Sequence, residues 1–99
     1  MTPEFRLTKP AVKDIEQIAD YLAQTTGINQ AEVFLDELNQ KLAKVAQFPK
    51  LGRQRDEIFP NVRSLTLRTY LILYLPTEGG IDILRVVSGY RDLTHLFES

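Results

Sequence analysis

The sequence predicts an α+β domain with a short N-terminal strand and an antiparallel two-helix hairpin packed on a three- to four-stranded antiparallel sheet. In the first half, apolar residues recur at helical spacing along 11–22 and 31–46, which indicates two amphipathic helices. In the second half, three apolar or alternating runs separated by turn residues indicate strands. Ninety-nine residues suit one compact unit, so we expect residues 1–99 to form a single domain.

Residues 5–7 predict a short first strand that leads directly into the first helix. Thr8 is a suitable N-cap, and Pro10 falls in the first turn, where its missing N–H does no harm. Gly27 follows two threonines and marks the end of the helix. The stripe predicted to face the core is Ala11, Ile15, Ile18 and Leu22, while the carboxylates Asp14, Glu16 and Asp20 are interpreted as solvated.

The second helix is predicted to start at Asn29, because Glu32 three residues later is typical of a capping box. It stops before Pro49, which cannot continue a helix. Two amphipathic helices with a short link must each cover an apolar surface, so we expect them to pack as a hairpin on the sheet. The predicted core face of the second helix is Ala31, Phe34, Leu35, Leu38, Leu42, Val45 and Ala46.

The sheet is predicted from three runs that follow the loop 48–53. Residues 62–67 alternate between apolar and polar, as in a half-buried strand, and residues 70–75 are almost wholly apolar, as in a central strand. A turn ending in two glycines precedes the third strand, 81–87. These three strands are expected to form an antiparallel meander.

Composition and charge limit the classes of function. The chain is 43% hydrophobic and 25% charged with a net charge of -1, and it contains no cysteine. No run approaches a membrane span, and no secretory signal precedes the first strand, so we expect a cytoplasmic protein with no membrane partner. Six of the seven arginines lie in residues 50–99. Arginine suits recognition of carboxylates and phosphates, but a pI near 5.8 argues against strong direct nucleic-acid binding.

The most informative segment is 81–92, where a hydrophobic strand carries one arginine and ends in a glycine turn with an Arg-Asp pair. An unpaired internal charge is costly, so Arg85 must emerge at an edge or meet a partner. Arg85 half exposed on a sheet face, with Arg91 and Asp92 as a solvated turn pair, is the plainer alternative.

Several chemistries are not expected. A hydrolytic triad needs an activated nucleophile and a base, and the single histidine, His95, is interpreted as an exposed residue near the end of the chain. The scattered carboxylates predict no metal site, and Gly79 and Gly80 belong to a hairpin rather than a phosphate loop, so no cofactor is expected. What remains is the arginine cluster, which could hold an RNA phosphate or pair with carboxylates of a protein partner.

A set of short motifs carries a resemblance over nearly the whole chain. The motifs are Leu7-Thr8, Ala11-Val12, Asp14-Ile15, Ile18 and Tyr21-Leu22; Ala31, Phe34 and Leu38; the loop 48–53; Val62-Arg63; residues 70–74; and residues 83–87 with Gly89, Arg91 and Asp92. In their order and spacing they resemble the RelE/ParE superfamily of toxins from type II toxin–antitoxin systems, and the ParE branch more closely.

The resemblance implies a strand, a helical hairpin and an antiparallel meander, and a toxin neutralised by a small ParD-like antitoxin. Docking of a helix in a groove or addition of a strand would capture the toxin. ParE-type members poison DNA gyrase as protein inhibitors without an active site of their own, with roles in plasmid maintenance and stress response. RelE-type members cut messenger RNA on the ribosome with basic residues on the second and third strands, an arginine after the last strand and often a C-terminal tyrosine.

The match to the RelE type is incomplete. Arg63 and Arg91 fit two of its basic positions, whereas Leu65 and Leu71 stand where further basic groups are expected, and Phe97 stands near the tyrosine position. Leucine and phenylalanine cannot perform acid–base catalysis, so these departures favour the ParE type. The histidine that is familiar before the glycine of the ParE-like turn is Ser88 here.

We therefore predict a gyrase-inhibiting toxin with no catalytic residues of its own. The predicted target-binding surface consists of Arg63, Arg85, Arg91, Asp92 and His95. The alternatives are a RelE-like, ribosome-dependent mRNA endonuclease and a weakly toxic module that acts mainly by binding its antitoxin.

Overall fold

The computed structural model of the protein describes residues 3–89, 93, 96 and 97. Within these residues, two helices pack on one five-stranded mixed sheet, which confirms the predicted α+β class. The strand order in the sheet is β1-β5-β4-β3-β2. The elements are β1 (Glu4–Leu7), α1 (Lys9–Thr25), α2 (Ile28–Gln47), β2 (Arg53–Gln54), β3 (Arg63–Leu67), β4 (Tyr70–Thr77) and β5 (Gly80–Ser88).

Helix α1 begins as predicted. Thr8 is the N-cap, and its Oγ1 accepts a hydrogen bond from the Ala11 N–H at 3.3 Å. The same hydroxyl donates to the Ile83 carbonyl at 2.8 Å, and the Thr8 N–H donates to that carbonyl at 3.1 Å. The start of α1 is therefore attached to β5 as well as capped. Of the predicted stripe, Ala11 and Ile18 are buried and the other two residues are partly buried against the core.

Helix α2 begins differently from the prediction. Its N-cap is Gly27, with φ of 107°, and no side chain makes a capping hydrogen bond, so the proposed capping box at Asn29 and Glu32 is wrong. The Gly27 carbonyl instead accepts from the N–H groups of Gln30 and Ala31 at 3.1 and 3.3 Å. Only Thr26 and Gly27 separate the helices, and the positive φ of a glycine permits so sharp a reversal. Asn29 is thus already inside the helix.

The sheet has more strands than the meander that the sequence predicts. β1 pairs with β5 in parallel, with Phe5 opposite Ile81, while the remaining neighbours are antiparallel. Two parallel strands need a crossover connection between them, and the connection from β1 to β5 starts with the helical hairpin. β2 has two residues, which is too short to show any periodicity. The β1–β5 pair makes the sheet mixed rather than wholly antiparallel, and β2 adds a fifth strand.

The sheet is buried on both faces. Alternate residues of β4 point to the helices or to the opposite face, which explains why this strand is apolar along most of its length. The helix-side core is Ala11, Ile18, Phe34, Leu38, Leu42, Val45, Ala46, Ile72, Tyr74, Ile81, Ile83 and Val86. The core on the opposite face is Val62, Leu71, Leu73 and Val87, covered in part by Ile58, Leu93, Leu96 and Phe97. Leu35, which was predicted to face the core, is 37% exposed.

Candidate functional site

Two of the five predicted target-binding residues lie in the described part of the chain. Arg63 is the first residue of β3, and Arg85 lies in β5. Arg91, Asp92 and His95 lie outside the described residues, so their role as target contacts stays a prediction. β4 separates the strands of Arg63 and Arg85, and each arginine is held by a different part of the protein.

Arg85 forms a bidentate ion pair with Asp14 of α1. Its Nε donates to Asp14 Oδ2 at 2.7 Å and its Nη2 donates to Oδ1 at 2.9 Å. The side chains are 20% and 11% exposed, so the pair is largely shielded from water. Donation of these hydrogen bonds to Asp14 raises the pKa of the Arg85 guanidinium, although burial opposes the shift. The partner that the sequence analysis required for Arg85 is therefore inside the protein.

A β-bulge places Arg85 next to α1. The pairing of β4 with β5 shifts register between Leu73 and Tyr74, which oppose Arg85 and Ile83. The extra residue lets the strand present Arg85 and Val86 to the helix side together. Asp14 Oδ2 also accepts the Val86 N–H at 3.0 Å, which satisfies a backbone donor where the ladder is irregular.

The interpretation of Asp14 as a solvated helix residue is wrong. Its carboxylate accepts three hydrogen bonds and joins α1 to the bulge in β5. The sequence did contain a signal, because Asp14 lies three residues after Ala11 and four before Ile18, on the apolar face. A carboxylate on that face, together with an arginine on a buried strand, predicts an ion pair between them.

A second set of hydrogen bonds joins the buried Tyr74 of β4 to the loop 48–53. The Tyr74 hydroxyl donates to the Pro49 carbonyl at 2.7 Å and accepts from the Gly52 N–H at 2.8 Å. Burial raises the pKa of this phenol, partly offset by the bond from Gly52. A buried tyrosine hydroxyl needs a polar partner, but its sequence position does not reveal that the partner is a loop 22 residues away.

Arg63 holds the same loop from β3. Its Nη1 donates to the Gly52 carbonyl at 2.7 Å and to the Lys50 carbonyl at 3.3 Å. Gly52 is required by close approach, since an added Cβ would lie 2.5 Å from the Tyr74 hydroxyl oxygen and 2.9 Å from the Ser64 carbonyl oxygen. Arg63 and Tyr74 therefore fix the loop backbone at Pro49, Lys50 and Gly52.

The fixed loop forms one wall of a groove of about 760 Å³. Its apolar lining includes Phe48 and Leu51, which are 58% and 49% exposed, and Pro76 of β4. Lys50 and Arg63 are the charged residues of the lining. We call this feature the loop groove; the sequence analysis named the loop 48–53 as a motif but predicted no groove beside it.

Other arginines of the second half are also engaged within the protein. Arg68, in the turn between β3 and β4, donates to both carboxylate oxygens of Glu37 at 3.0 and 3.2 Å and lies 5.6 Å from the Phe34 ring centre. Arg55 donates to Glu57 at 2.6 Å, and this hydrogen bond lowers the pKa of the Glu57 carboxyl. The arginine enrichment therefore reflects internal recognition of carboxylates and carbonyls as well as any external surface.

The three apolar residues that the sequence analysis counted against the RelE type have packed side chains. Leu65 is partly buried against the helix-side core, and Leu71 is buried on the opposite face. Phe97 packs against Phe59 with ring centres 5.3 Å apart. Among the described residues, no His, Cys, Asp and Glu side chains group as a metal site would require, and no helix could cross a membrane.

The fold and sequence were compared with those of known proteins. A solved structure described as the chromosomal ParDE TA system from P. aeruginosa superposes with a TM-score of 0.74, covering 88% of this chain and 96% of that chain at 22% identity. This match defines the fold of the protein. Residues 5–93 match the family model of the ParE toxin of the type II toxin–antitoxin system parDE.

Curated relatives agree with this match. Toxin ParE1 of Mycobacterium tuberculosis is 34% identical over 94 residues, which are 94% of this chain and 96% of that protein. Toxin ParE3 of Caulobacter vibrioides is 24% identical over 86 residues, which are 87% of this chain and 86% of that protein. The chain therefore belongs to the ParE toxin family of type II toxin–antitoxin systems. The resemblance proposed from the sequence motifs is confirmed.

Proposed function

We propose that this ParE-type toxin acts in the cytoplasm by binding and inhibiting DNA gyrase, and that a cognate antitoxin neutralises it. It acts as a protein inhibitor without an active site of its own. Membership of the ParE family supports this proposal, and the roles that follow are plasmid maintenance and stress response. The proposed target contacts are Arg63 and Arg85, together with Arg91, Asp92 and His95, which lie outside the described residues.

The observation that carries the choice of gyrase over messenger RNA is the packing of Leu65, Leu71 and Phe97. These residues stand where a RelE-like nuclease would place basic groups and a tyrosine, and their side chains are packed in the two cores. Apolar side chains cannot donate or accept a proton in RNA cleavage. Cleavage would therefore lack the rate enhancement of roughly 10²- to 10⁴-fold that general acid–base catalysis contributes. A ribonuclease would have to use other groups.

Plasmid supercoiling by purified gyrase, including gyrase of the native host, tests the proposal. Increasing amounts of toxin should abolish supercoiling and trap linear DNA, and the antitoxin should reverse both effects. Arg91→Ala should weaken inhibition while keeping the fold. Arg6→Ala is a matched control, because it makes the same change at a side chain that is 80% exposed. Arg6 lies in the edge strand β1 and pairs with Asp82.

Two results would overturn parts of this proposal. Gyrase that is unaffected at toxin concentrations that stop cell growth would exclude it as the target, and ribosome-dependent cleavage of messenger RNA lost in Arg63→Ala would then indicate the RelE-like activity. A folded Arg91→Ala variant with full inhibition would remove Arg91 from the target surface. Harmless overexpression of soluble protein would instead support a module that works mainly through its antitoxin.

A further inference from the structure

The loop groove exposes an unusual amount of apolar side chain beside a positive charge. Phe48 and Leu51 are about half exposed, and Pro49 and Pro76 extend the apolar wall. Its volume of about 760 Å³ falls in the range of binding sites for small ligands or a few side chains, roughly 300–1,000 Å³. Exposed apolar residues in such a concave site indicate a surface that a partner covers.

The groove is formed before any partner arrives. The Tyr74 hydroxyl bonds to Pro49 and Gly52, and Arg63 bonds to Lys50 and Gly52. These bonds hold the backbone on both sides of Leu51, so binding would not have to order the loop. A pre-organised wall raises affinity by avoiding that entropic cost.

The electrostatics of the groove select the chemistry of its occupant. Both charged residues of the lining, Lys50 and Arg63, are cations, and the polar remainder consists of Gln47, Gln54 and Asn61. Arg63 uses Nη1 for its two loop bonds and keeps its positive charge at the groove. An occupant with a carboxylate beside an apolar side chain complements this surface in both charge and polarity.

We propose that the loop groove binds a linear segment of the antitoxin that carries one or two apolar side chains next to a carboxylate. This inference rests on the proposed neutralisation by an antitoxin. Nine of the described residues line the groove, fewer than the roughly 20–30 that each partner contributes to a stable protein interface, so the segment forms one part of a longer contact. Because the segment covers Arg63, a predicted target contact, its binding also removes that contact from the target.

Direct binding of peptides tests the inference without gyrase. The probes are overlapping fluorescein-labelled peptides that cover the cognate antitoxin, titrated with purified toxin and followed by fluorescence polarisation. A double variant, Phe48→Ser with Leu51→Ser, removes the apolar wall. The matched control is Tyr21→Ser with Ile28→Ser, because these apolar residues are 61% and 67% exposed on the helical hairpin.

We expect a peptide with adjacent apolar and acidic residues to bind the unaltered toxin. The groove variant should bind it about 100-fold more weakly, at tenfold for each apolar side chain, and the control variant should bind it normally. Changing the acidic residues of that peptide to their amides should weaken binding about tenfold, as expected for one charge-assisted hydrogen bond. Thermal unfolding of both variants verifies that each is folded.

Several outcomes would overturn the inference. Equal binding by the groove variant, or equal binding of the amide peptide, contradicts the apolar or the ionic part of it. Binding of the whole antitoxin but of none of its peptides excludes a linear segment as the occupant. A groove variant that binds every peptide but no longer inhibits gyrase assigns the groove to the target instead. A toxin that binds its antitoxin peptides but never inhibits gyrase contradicts only the proposed target.

Discussion

Replacing Asp14 by asparagine tests the attachment of α1 to the bulge in β5. The carboxylate accepts bonds of 2.7 and 2.9 Å from Arg85 and of 3.0 Å from the Val86 N–H. Removing one partner of a fully buried ion pair costs about 3–5 kcal/mol. Arg85 is 20% exposed and the asparagine oxygen can still accept one bond, so we expect a loss of about 2–3 kcal/mol.

This loss is large against a total stability of about 5–15 kcal/mol for a domain of this kind. Urea unfolding followed by circular dichroism should show a lower midpoint with an unchanged m-value, and thermal unfolding should shift downward by about 10–20 °C. Asp20→Asn is the matched control, because it makes the same chemical change at an exposed position of α1. We expect that variant to lie within about 0.5 kcal/mol of the unaltered protein.

A double-mutant cycle with Arg85→Gln separates the ion pair from the bond to the Val86 N–H. The coupling energy between the two positions should be at least about 1 kcal/mol. The pKa of the Arg85 guanidinium is raised above its ordinary value by the hydrogen bond to Asp14, so the stabilisation that comes from this shift is lost only as pH rises through the folded-state pKa. A loss below about 1 kcal/mol in Asp14→Asn, or additive single effects, would refute the reasoning.

Three further substitutions probe the loop and the β3–β4 turn. Tyr74→Phe should lower the free energy of unfolding by about 1–3 kcal/mol. The folded-state pKa of Tyr74 is raised above 10.0, so the unaltered protein should lose stability through this group as pH rises above that value, whereas the variant should not. Thermal unfolding across pH measures the difference. Gly52→Ala should cost about 2–3 kcal/mol in urea unfolding, since its methyl group would lie 2.5 Å from the Tyr74 hydroxyl oxygen; a loss under about 0.5 kcal/mol would show that the loop adjusts freely. Arg68 has a φ of 57°, which glycine adopts without strain, so in Arg68→Gly the relief of backbone strain should offset the lost contacts and leave the stability within about 0.5 kcal/mol of the unaltered protein. Arg68→Ala keeps the strain and loses the contacts, so it should cost about 1–2 kcal/mol. Equal losses in the two variants would contradict this account.

The arginines show how far residue type alone can be interpreted. Their concentration in the second half predicted a recognition surface, with Arg63 and Arg85 among the residues predicted to contact the target. The structure shows that both make strong internal bonds, one to loop carbonyls and one to a helix carboxylate. An arginine has the same geometry for a partner inside the protein as for one outside, so the sequence leaves this choice open.

The sequence by itself determined the α+β class, both helices and most of their core faces, the three longer strands and the membership of a toxin family. These features rest on local periodicity, the Thr8 cap of α1 and motif spacing, which are properties of neighbouring residues. Only the tertiary structure decided the parallel pairing of β1 with β5, the partnership of Asp14 with Arg85 and the fixation of the loop 48–53 by Tyr74. Each of these joins residues distant in the chain, and hydrogen-bond geometry selects such partners only after the helices and sheet have packed.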